Sequence, residues 1–182
     1  MPSDTNTDLP LKNIIIALVT KIAALAGLHV YRYPKADVSA TVVIFFDSGK
    51  NALTIVRKHS PFEGSEAFPG GFLNPGQETL RQAARRELQE ETSIDLAEED
   101  FLPVDERSET DRDPRGHMID HGFMVIISDE AKPGVVAQMR AADDASACHI
   151  RPVVELLNND MAFDHRKLLM RAMQQAGFTQ TK

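Results

Sequence analysis

The chain contains little cysteine and no excess of positive charge. Cys148 is the single cysteine among 182 residues, so a disulfide within the chain and a cysteine-based zinc site are both excluded. Acidic residues number 27 against 20 Lys and Arg, and the net charge is −7. Because a nucleic-acid backbone is bound chiefly by clustered Lys and Arg, we expect no nucleic-acid partner. A small phosphate ligand stays open, since a metal ion can supply positive charge locally.

Long uninterrupted apolar runs are also missing. The most apolar stretch, residues 11–27 (LKNIIIALVTKIAALAG), is broken by Lys21 and follows Asp4 and Asp8 rather than a basic cluster. Export signals begin with basic residues, and a bilayer-spanning helix needs about 20 apolar residues. We therefore expect no membrane insertion and a cytoplasmic protein, with export as the alternative.

The same stretch has a helical period. Its apolar residues recur at positions that share one helix face, namely Ile14, Ile15, Leu18, Ile22 and Leu25. This spacing predicts an amphipathic helix that lies on the domain or on a partner subunit. Because such a face can build a dimer interface, a homodimer is predicted. Residues 1–30 are assigned to an extension with this helix, and residues 31–182 to the main domain.

The main domain has an ordinary globular composition, 42% hydrophobic and 26% charged over the whole chain. β-branched and aromatic residues predict strands, and Pro and Gly predict a loop: strands at 38–47, 53–56 and 120–128, loop at 60–76. Helices are predicted at 79–94, 152–157 and 164–177. Thr79 with Gln82 three residues later has the pattern of a capping box. The irregular alternation predicts one mixed α/β domain.

Residues 79–94 (TLRQAARRELQEETSI) carry acids where a helix should face the core. At about 100° per residue, one apolar stripe contains Leu80, Ala83, Ala84 and Leu88. Glu87 and Glu91 fall on this stripe, and Glu90 lies beside them. Inward acids are costly without a positive partner, which indicates a hard cation such as Mg²⁺ that bridges to substrate phosphates. The alternative is a surface helix whose acids pair with Arg81, Arg85 or Arg86.

A longer pattern surrounds this helix. Residues 71–78, a gap of seven and residues 86–94 strongly resemble the Nudix box, which reads G, five residues, E, seven residues and R-E-apolar-x-E-E-x-G-apolar. Six residues instead of five separate Gly71 from Glu78, and Ser93 stands where the box usually has glycine. Neither departure touches the Arg-Glu-x-x-Glu-Glu core. The resemblance implies the Nudix α/β/α sandwich with a mixed sheet.

The flanking segments are similar to Nudix enzymes of the ADP-ribose pyrophosphatase type. The similarity covers most of residues 31–170, although Glu66 stands where those enzymes often carry tryptophan. Its elements are 56–73 (VRKHSPFEGSEAFPGGFL), 112–116 (RDPRG), 143–145 (DDA) and 162–165 (AFDH). Singly, the last three have ordinary explanations as a turn, a loop and a helix cap. Together they imply hydrolysis of the pyrophosphate of a nucleoside diphosphate linked to another group, with ADP-ribose giving AMP and ribose 5-phosphate.

The resemblance also implies roles for single residues. The metal, Mg²⁺ with Mn²⁺ as a possible substitute, would be held by Glu87, Glu90, Glu91 and the carbonyl of Gly70. Glu78 would pair with Arg86 as structural support. Catalytic roles fall to Arg86, Glu87 and Glu90, with Asp143 or Asp144 as the general base. Substrate contacts fall to Arg57, Arg112, Arg115 and His165, whose alternatives are solvated arginines and a packing histidine.

Two alternatives to this function remain. One is a sensor that binds ADP-ribose without cleaving it, as in regulators that join a Nudix domain to a DNA-binding winged helix. Residues 170–182 are too few for such a module, and the intact acids of the box favour catalysis. The other is a hydrolase of the same family acting on nucleotide sugars, dinucleoside polyphosphates or nucleoside triphosphates, because the fold alone does not determine the substrate.

Overall fold

A computed structural model describes residues 8–26 and 35–178, and the chain divides into two compact units between Lys35 and Ala36. The first unit contains the predicted helix, α1, Asp8–Leu25. Its large apolar side chains are exposed: Leu11, Ile14, Ile15, Ile16, Leu18, Val19, Ile22 and Leu25. Because Ile16 and Val19 extend the apolar surface beyond the predicted stripe, one-sided amphipathic character stays a prediction. The remaining residues of the predicted extension, 1–7 and 27–30, lie outside the described residues.

A search of the described helices finds none with the length and apolar character needed to cross a membrane.

The second unit is built on a seven-stranded sheet. Its strands are β1 (Asp37–Phe46), β2 (Asn51–Arg57), β3 (Glu66–Ala67), β4 (Gly70–Phe72), β5 (Leu102–Arg107), β6 (Met118–Ile126) and β7 (Ala145–Pro152). β1 and β6 are parallel, whereas the other strand pairs are antiparallel. The sheet is therefore mixed, as predicted.

Helices cover both faces of this sheet. They are α2 (Leu80–Thr92), α3 (Lys132–Gln138), α4 (Val153–Asn158) and α5 (His165–Ala176). α2 packs Ala84 and Leu88 against the β1 face that carries Val42. α5 packs Leu168 and Leu169 against the opposite face, which carries the alternate residues of β1. The run of seven buried residues that ends β1, 40–46, thus serves both cores, and the predicted α/β/α sandwich is confirmed.

The sheet splits beside β1, and this split positions the cleft. β1 pairs with β2 only at its last two residues, Phe45 and Phe46. Nearer its start, residues 39–41 pair instead with β4. β2 meanwhile continues alongside β3 and β7. The end of β2 is therefore separated from the start of β1.

The local predictions for α2 are confirmed. The Thr79 hydroxyl accepts from the Gln82 N–H at 3.3 Å, and the Gln82 side chain accepts from the Thr79 N–H at 3.0 Å. This capping box satisfies two N–H groups that a helix start leaves free. At the other end Ser93 adopts a left-handed backbone with φ 61°, a conformation in which a serine is less comfortable than a glycine.

Other elements differ from the sequence expectation. The predicted loop 60–76 was wrong in part, because it contains β3 and β4. Three elements had no prediction, namely β5, α3 and β7. β3 and β4 have two and three residues, too few for a period, and they exist because β2 and β1 supply their hydrogen-bond partners. β7 (ASACHIRP) contains no long apolar run, and it forms by pairing along β2.

Candidate active site

The sheet split forms a cleft of about 260 Å³ between the starts of β1 and β4, the end of β2 and the amino end of α5. Most of the predicted site residues line it. From the Nudix-box region it contains Gly70, Arg86, Glu87 and Glu91. From the predicted substrate and base residues it contains Arg57, Arg112, Arg115, Asp144 and His165. The cleft lining does not include Glu78, Glu90 or Asp143.

Glu87 and Glu91 form the acidic wall of this cleft. Glu91 is 4% exposed, and its Oε2 accepts from the Gly70 N–H at 3.1 Å. Burial raises the pKa of Glu91 to about 8, against the opposing effect of that hydrogen bond. Burial also raises the pKa of Glu87, although the adjacent Arg86 opposes the shift. In both carboxylates the loss of water on burial outweighs the hydrogen bonds that the protein supplies.

The backbone approaches the acids closely at Gly71. A Cβ atom built at this position would overlap the carboxylate of Glu87. A side chain at Gly71 would therefore displace the Glu87 carboxylate from its present position, because β4 lies close to α2 here. The first glycine of the box allows the acidic helix face to lie directly against the cleft.

Arg86 connects the loop before α2 to the acids on it. Its Nε and Nη2 donate to the two carboxylate oxygens of Glu78 at 2.9 and 2.8 Å. Its Nη1 donates to Glu87 at 2.6 Å and to Glu90 at 2.9 Å. The Phe72 carbonyl accepts a further bond at 2.9 Å. Since a bidentate guanidinium pair fixes orientation, Arg86 sets the position of Glu87.

The acidic wall fits a hard divalent cation, and two carboxylates rather than three face the cleft. In the part of the chain that is described, no three His, Cys, Asp or Glu side chains converge as a metal-binding group. Arg86 holds Glu90, which is 44% exposed, away from the cleft lining. Glu87 and Glu91, one helical turn apart and with raised pKa values, supply the oxygen ligands that such a cation prefers.

Two arginines provide positive charge in the same cleft. Arg57 donates from Nε to the Pro61 carbonyl at 2.8 Å and forms no ion pair within the described ranges. Arg115 forms a bidentate pair with Asp113, with bonds of 3.0 and 2.7 Å. Burial and then the charge of Arg115 lower the pKa of Arg57. Two cations that repel each other in a cleft favour the binding of an anion between them.

Phe163 packs against both of these arginines. The Arg57 guanidinium carbon is 5.0 Å from the ring centroid of Phe163, and that of Arg115 is 5.5 Å away. Phe163 adopts a left-handed backbone with φ 54°, which is uncommon for a bulky side chain and tends to occur at functional sites. Its ring is therefore within cation–π distance of both guanidinium groups.

The floor of the cleft is a buried ionic network. Arg107 donates from Nη2 to Asp120 and from Nη1 to Asp164, the latter at 2.7 Å. Arg112 binds Asp164 through Nη2 at 2.8 Å and through Nε at 3.2 Å. Asp120 also accepts from the Thr41 hydroxyl at 2.8 Å. The network connects β1, β5, β6, the loop before β6 and the start of α5.

Sequence reasoning missed Arg107 and Asp120. Arg107 lies at the end of a strand that the sequence did not reveal. Asp120 did carry a signal, because Met118, Gly122 and Met124 alternate with residues of the other sheet face. Asp120 shares their inward face, so a period of two within the predicted strand would have identified a buried acid.

The remaining predicted residues lie at the edge of the site. Asp144 has a side chain 70% exposed, and its Oδ1 is 3.6 Å from His59 Nε2. The Asp143 carbonyl accepts from the Lys58 ammonium at 3.3 Å, and its backbone has φ 46°. Glu66 lies at β3, where its carboxylate is 3.1 Å from Arg151 Nε. Asp144 is thus the one acid of the 143–145 loop that reaches the cleft.

Comparison with known proteins agrees with this site. The profile of the NUDIX domain family matches residues 35–172. An ADP-ribose pyrophosphatase from Methanocaldococcus jannaschii is 32% identical over 158 residues, which cover 86% of this chain and 83% of that protein. The family match spans the cleft, the acidic helix and the sheet.

Solved structures share the fold. The Nudix domain of Shewanella oneidensis NrtR, solved with ADP ribose, superposes with a TM-score of 0.69 at 22% identity, covering 86% of this chain and 98% of that one. A bifunctional NMN adenylyltransferase/ADP ribose pyrophosphatase from Francisella tularensis, solved with AMP and a Mn ion, gives 0.68 at 25% identity, covering 96% of this chain and 50% of that one. Nudix hydrolases generally use divalent metals. The chain belongs to the Nudix family and is a Nudix pyrophosphohydrolase.

Proposed function

We propose that the protein hydrolyses ADP-ribose to AMP and ribose 5-phosphate in a Mg²⁺-dependent reaction. One observation carries the proposal: a single cleft is lined by two carboxylates, Glu87 and Glu91, and by two arginines that pack against one aromatic ring. A diphosphate bound together with a divalent cation satisfies both sets of charges. The M. jannaschii relative supports ADP-ribose as the nucleotide.

The acidic wall would hold the metal. Glu87 and Glu91 are the main ligands in this proposal, with Glu90 and the Gly70 carbonyl as further ligands. Mg²⁺ held there, or Mn²⁺ in its place, neutralises diphosphate charge and lowers the pKa of an attacking water. Arg86 orients Glu87 through its 2.6 Å bond, and Glu78 in turn holds Arg86. Glu90 reaches the cleft only if it leaves its bond to Arg86.

The arginines would bind the phosphate groups. Arg57 bonds only backbone carbonyls, those of Pro61 and His59, among the described residues, and it forms no ion pair with an acid there. Arg115 is already oriented by Asp113, so it loses little side-chain freedom on binding. Arg112 is held by Asp164 at the floor, where it faces the deeper part of the ligand.

A general base completes the reaction. Water attacks one phosphorus, the bond from that phosphorus to the bridging oxygen breaks, and the base accepts the proton of the water. We assign this role to the 143–145 loop, with Asp144 ahead of Asp143 because it lines the cleft and is open to solvent.

A nucleotide panel tests the proposal. The protein is incubated with Mg²⁺ and ADP-ribose, nucleotide sugars, dinucleoside polyphosphates or nucleoside triphosphates, and products are measured by phosphatase-coupled phosphate release and chromatography. We expect ADP-ribose to show the highest kcat/KM, with AMP and ribose 5-phosphate in equal amounts and no turnover after chelation of the metal. Faster turnover of another class would reassign the substrate. Tight binding of ADP-ribose without cleavage would indicate a sensor rather than an enzyme.

A homodimer through α1 is a second part of the proposal. The apolar side chains of α1 named above are exposed, and contiguous exposed apolar residues mark interaction surfaces. A second copy of the same helix can cover such a surface by twofold symmetry. The partner proposed for this helix is therefore another copy of the chain.

The dimer is tested by light scattering at micromolar concentration. We expect twice the chain mass for the wild type and a shift to the monomer mass for the double substitution Leu18→Lys with Ile22→Lys. Val154→Lys, at a position 63% exposed on α4, serves as the control and should leave the mass unchanged. A monomeric wild type would contradict the proposal.

A further inference from the structure

One histidine of the cleft, His165, has a ring nitrogen that no described residue hydrogen-bonds. His165 stands at the start of α5, is 5% exposed and lines the cleft. Its Nδ1 accepts from the Phe68 backbone N–H at 2.9 Å in a buried position. No hydrogen bond to its Nε2 occurs within the described residues, and Nε2 is not among their fully buried unpaired atoms. The two nitrogens therefore have different environments, one bound to the protein and one without a partner in it.

The Phe68 contact determines the tautomer. A backbone N–H can only donate, so Nδ1 must present a lone pair and carries no proton. In a neutral ring the proton then resides on Nε2, which makes Nε2 a donor. Burial, and next the charge of Arg107, lower the pKa of His165 to about 3, so the ring is neutral at physiological pH.

The orientation of the ring is also fixed. Phe68 stacks on it with centroids 5.8 Å apart and planes 16° apart. Phe163 lies against it at 5.5 Å. A flip of the ring would break the bond to the Phe68 N–H and leave that group unpaired in the interior, which is costly. The Nε2–H is consequently a preoriented donor.

The surroundings of His165 belong to the floor of the cleft. The charges that act most strongly on it are those of Arg107, Asp120, Asp164 and Arg112. In this floor network Asp164 pairs with both arginines, and Asp120 pairs with Arg107. The Nε2–H is therefore a neutral donor beside charges that are already paired, and it serves a ligand group that reaches this floor.

We propose that His165 is a specificity-determining residue whose Nε2–H donates to an uncharged acceptor, a sugar oxygen or a base nitrogen, of the group attached to the diphosphate. The inference rests on the proposed hydrolysis of ADP-ribose. It adds that the protein selects for a substrate atom that accepts a hydrogen bond at this position, because a ligand without one covers the donor and leaves it unpaired.

Two substitutions test the roles of Nδ1 and Nε2 of His165 separately. In His165→Asn the amide oxygen can take the place of Nδ1 and keep the bond to Phe68, but the side chain is too short to replace Nε2. In His165→Gln the longer amide can place a donor near Nε2, while the bond to Phe68 is lost. KM, kcat and the melting temperature are measured for both variants and the wild type, with ADP-ribose and Mg²⁺.

The variants should respond in opposite ways. We expect His165→Asn to raise KM about tenfold with kcat within about threefold, as for one lost hydrogen bond. His165→Gln should keep KM near the wild-type value and lose more thermal stability. A KM for His165→Asn within twofold of wild type would overturn the inference, as would a higher KM for His165→Gln than for His165→Asn.

Product inhibition identifies the acceptor. If the donor serves the adenosine half, the inhibition constant of AMP rises in His165→Asn and that of ribose 5-phosphate does not; the reverse pattern places the acceptor on the terminal ribose. Either pattern supports the donor, and unchanged constants for both products overturn it. A wild type that neither binds nor cleaves ADP-ribose overturns the proposed function and this inference together.

The wild type provides an independent measurement if either variant fails to fold. Long-range ¹H–¹⁵N spectra should show His165 as the neutral Nε2–H tautomer, with its Nε2 proton shifting when AMP or ribose 5-phosphate is added. A ring protonated at Nδ1, or an Nε2 proton unaffected by both products, would overturn the inference.

Discussion

Replacing Glu91 by glutamine is expected to lower kcat for ADP-ribose hydrolysis by roughly 10³-fold, since loss of a charged metal ligand removes several kcal/mol of transition-state stabilisation. The glutamine oxygen can still accept from the Gly70 N–H, so the change removes charge rather than shape. Steady-state kinetics with saturating Mg²⁺ measure the effect. Glu99→Gln, at an exposed acid after α2, is the matched control and should retain wild-type kcat. Activity within tenfold of wild type would contradict the assigned role of Glu91.

The same variant provides a test of the metal site that does not depend on activity. Folded Glu91 has a pKa of about 8, raised by burial from an ordinary value of 4.5. Between these values the folded state holds a proton that the unfolded state has lost. Stability from this group is therefore fully present below about pH 4.5 and is lost as pH rises towards 8.

Thermal unfolding without metal should reveal this difference. Near pH 5 the wild type and Glu91→Gln should melt at similar temperatures. Near pH 9 the variant should be more stable by an amount on the order of a few kcal/mol, because it has no buried charge. Mg²⁺ should then raise the melting temperature of the wild type and leave the variant nearly unchanged. Parallel pH curves for the two proteins would contradict a buried, proton-binding Glu91.

Replacing Arg107 by methionine is expected to reduce the free energy of unfolding by about 3–5 kcal/mol, because removal of one partner leaves buried charges uncompensated. The Arg107 side chain is 1% exposed, and it pairs with Asp120 and Asp164, both almost fully buried. Methionine fills much of the same volume, so the lost charge dominates over a cavity. Urea unfolding measures the change.

Arg171 is the matched control for Arg107. Its Nε lies 3.2 Å from Asp105, and Arg107 Nε lies 3.6 Å from the same residue. Neither contact has hydrogen-bond geometry within the described residues. Because Arg171 is 55% exposed, Arg171→Met should cost less than about 1 kcal/mol. Equal losses for the two variants would show that burial does not determine the contribution of these ion pairs.

The floor network joins cleft-lining residues to buried ones, which connects stability to the proposed function. Asp164 binds both Arg107 and Arg112, and it directly precedes His165. Loss of Arg107 would therefore release the start of α5 as well as the cleft arginine. The residues that stabilise this part of the fold also orient the side chains that are proposed to contact the substrate.

The sequence by itself determined where α2 begins and which of its acids face inward. The cap at Thr79 depends on a residue three positions away, and the inward position of Glu87 and Glu91 follows from the helical period. β1 was likewise predictable because a run of β-branched and aromatic residues suits a buried strand wherever it pairs. In each case the deciding interactions are local, within about four residues, so the pattern of residue types contains them.

Only the tertiary structure decided which polar groups meet in the cleft. Phe68 and His165 are 97 residues apart, Thr41 and Asp120 are 79 apart, and Arg107 and Asp164 are 57 apart. It also decided that Glu90, adjacent to Glu91 in the chain, pairs with Arg86 and does not line the cleft. Hydrogen bonds and ion pairs between distant residues depend on which strands lie side by side. The local pattern of apolar and polar residues does not determine that pairing.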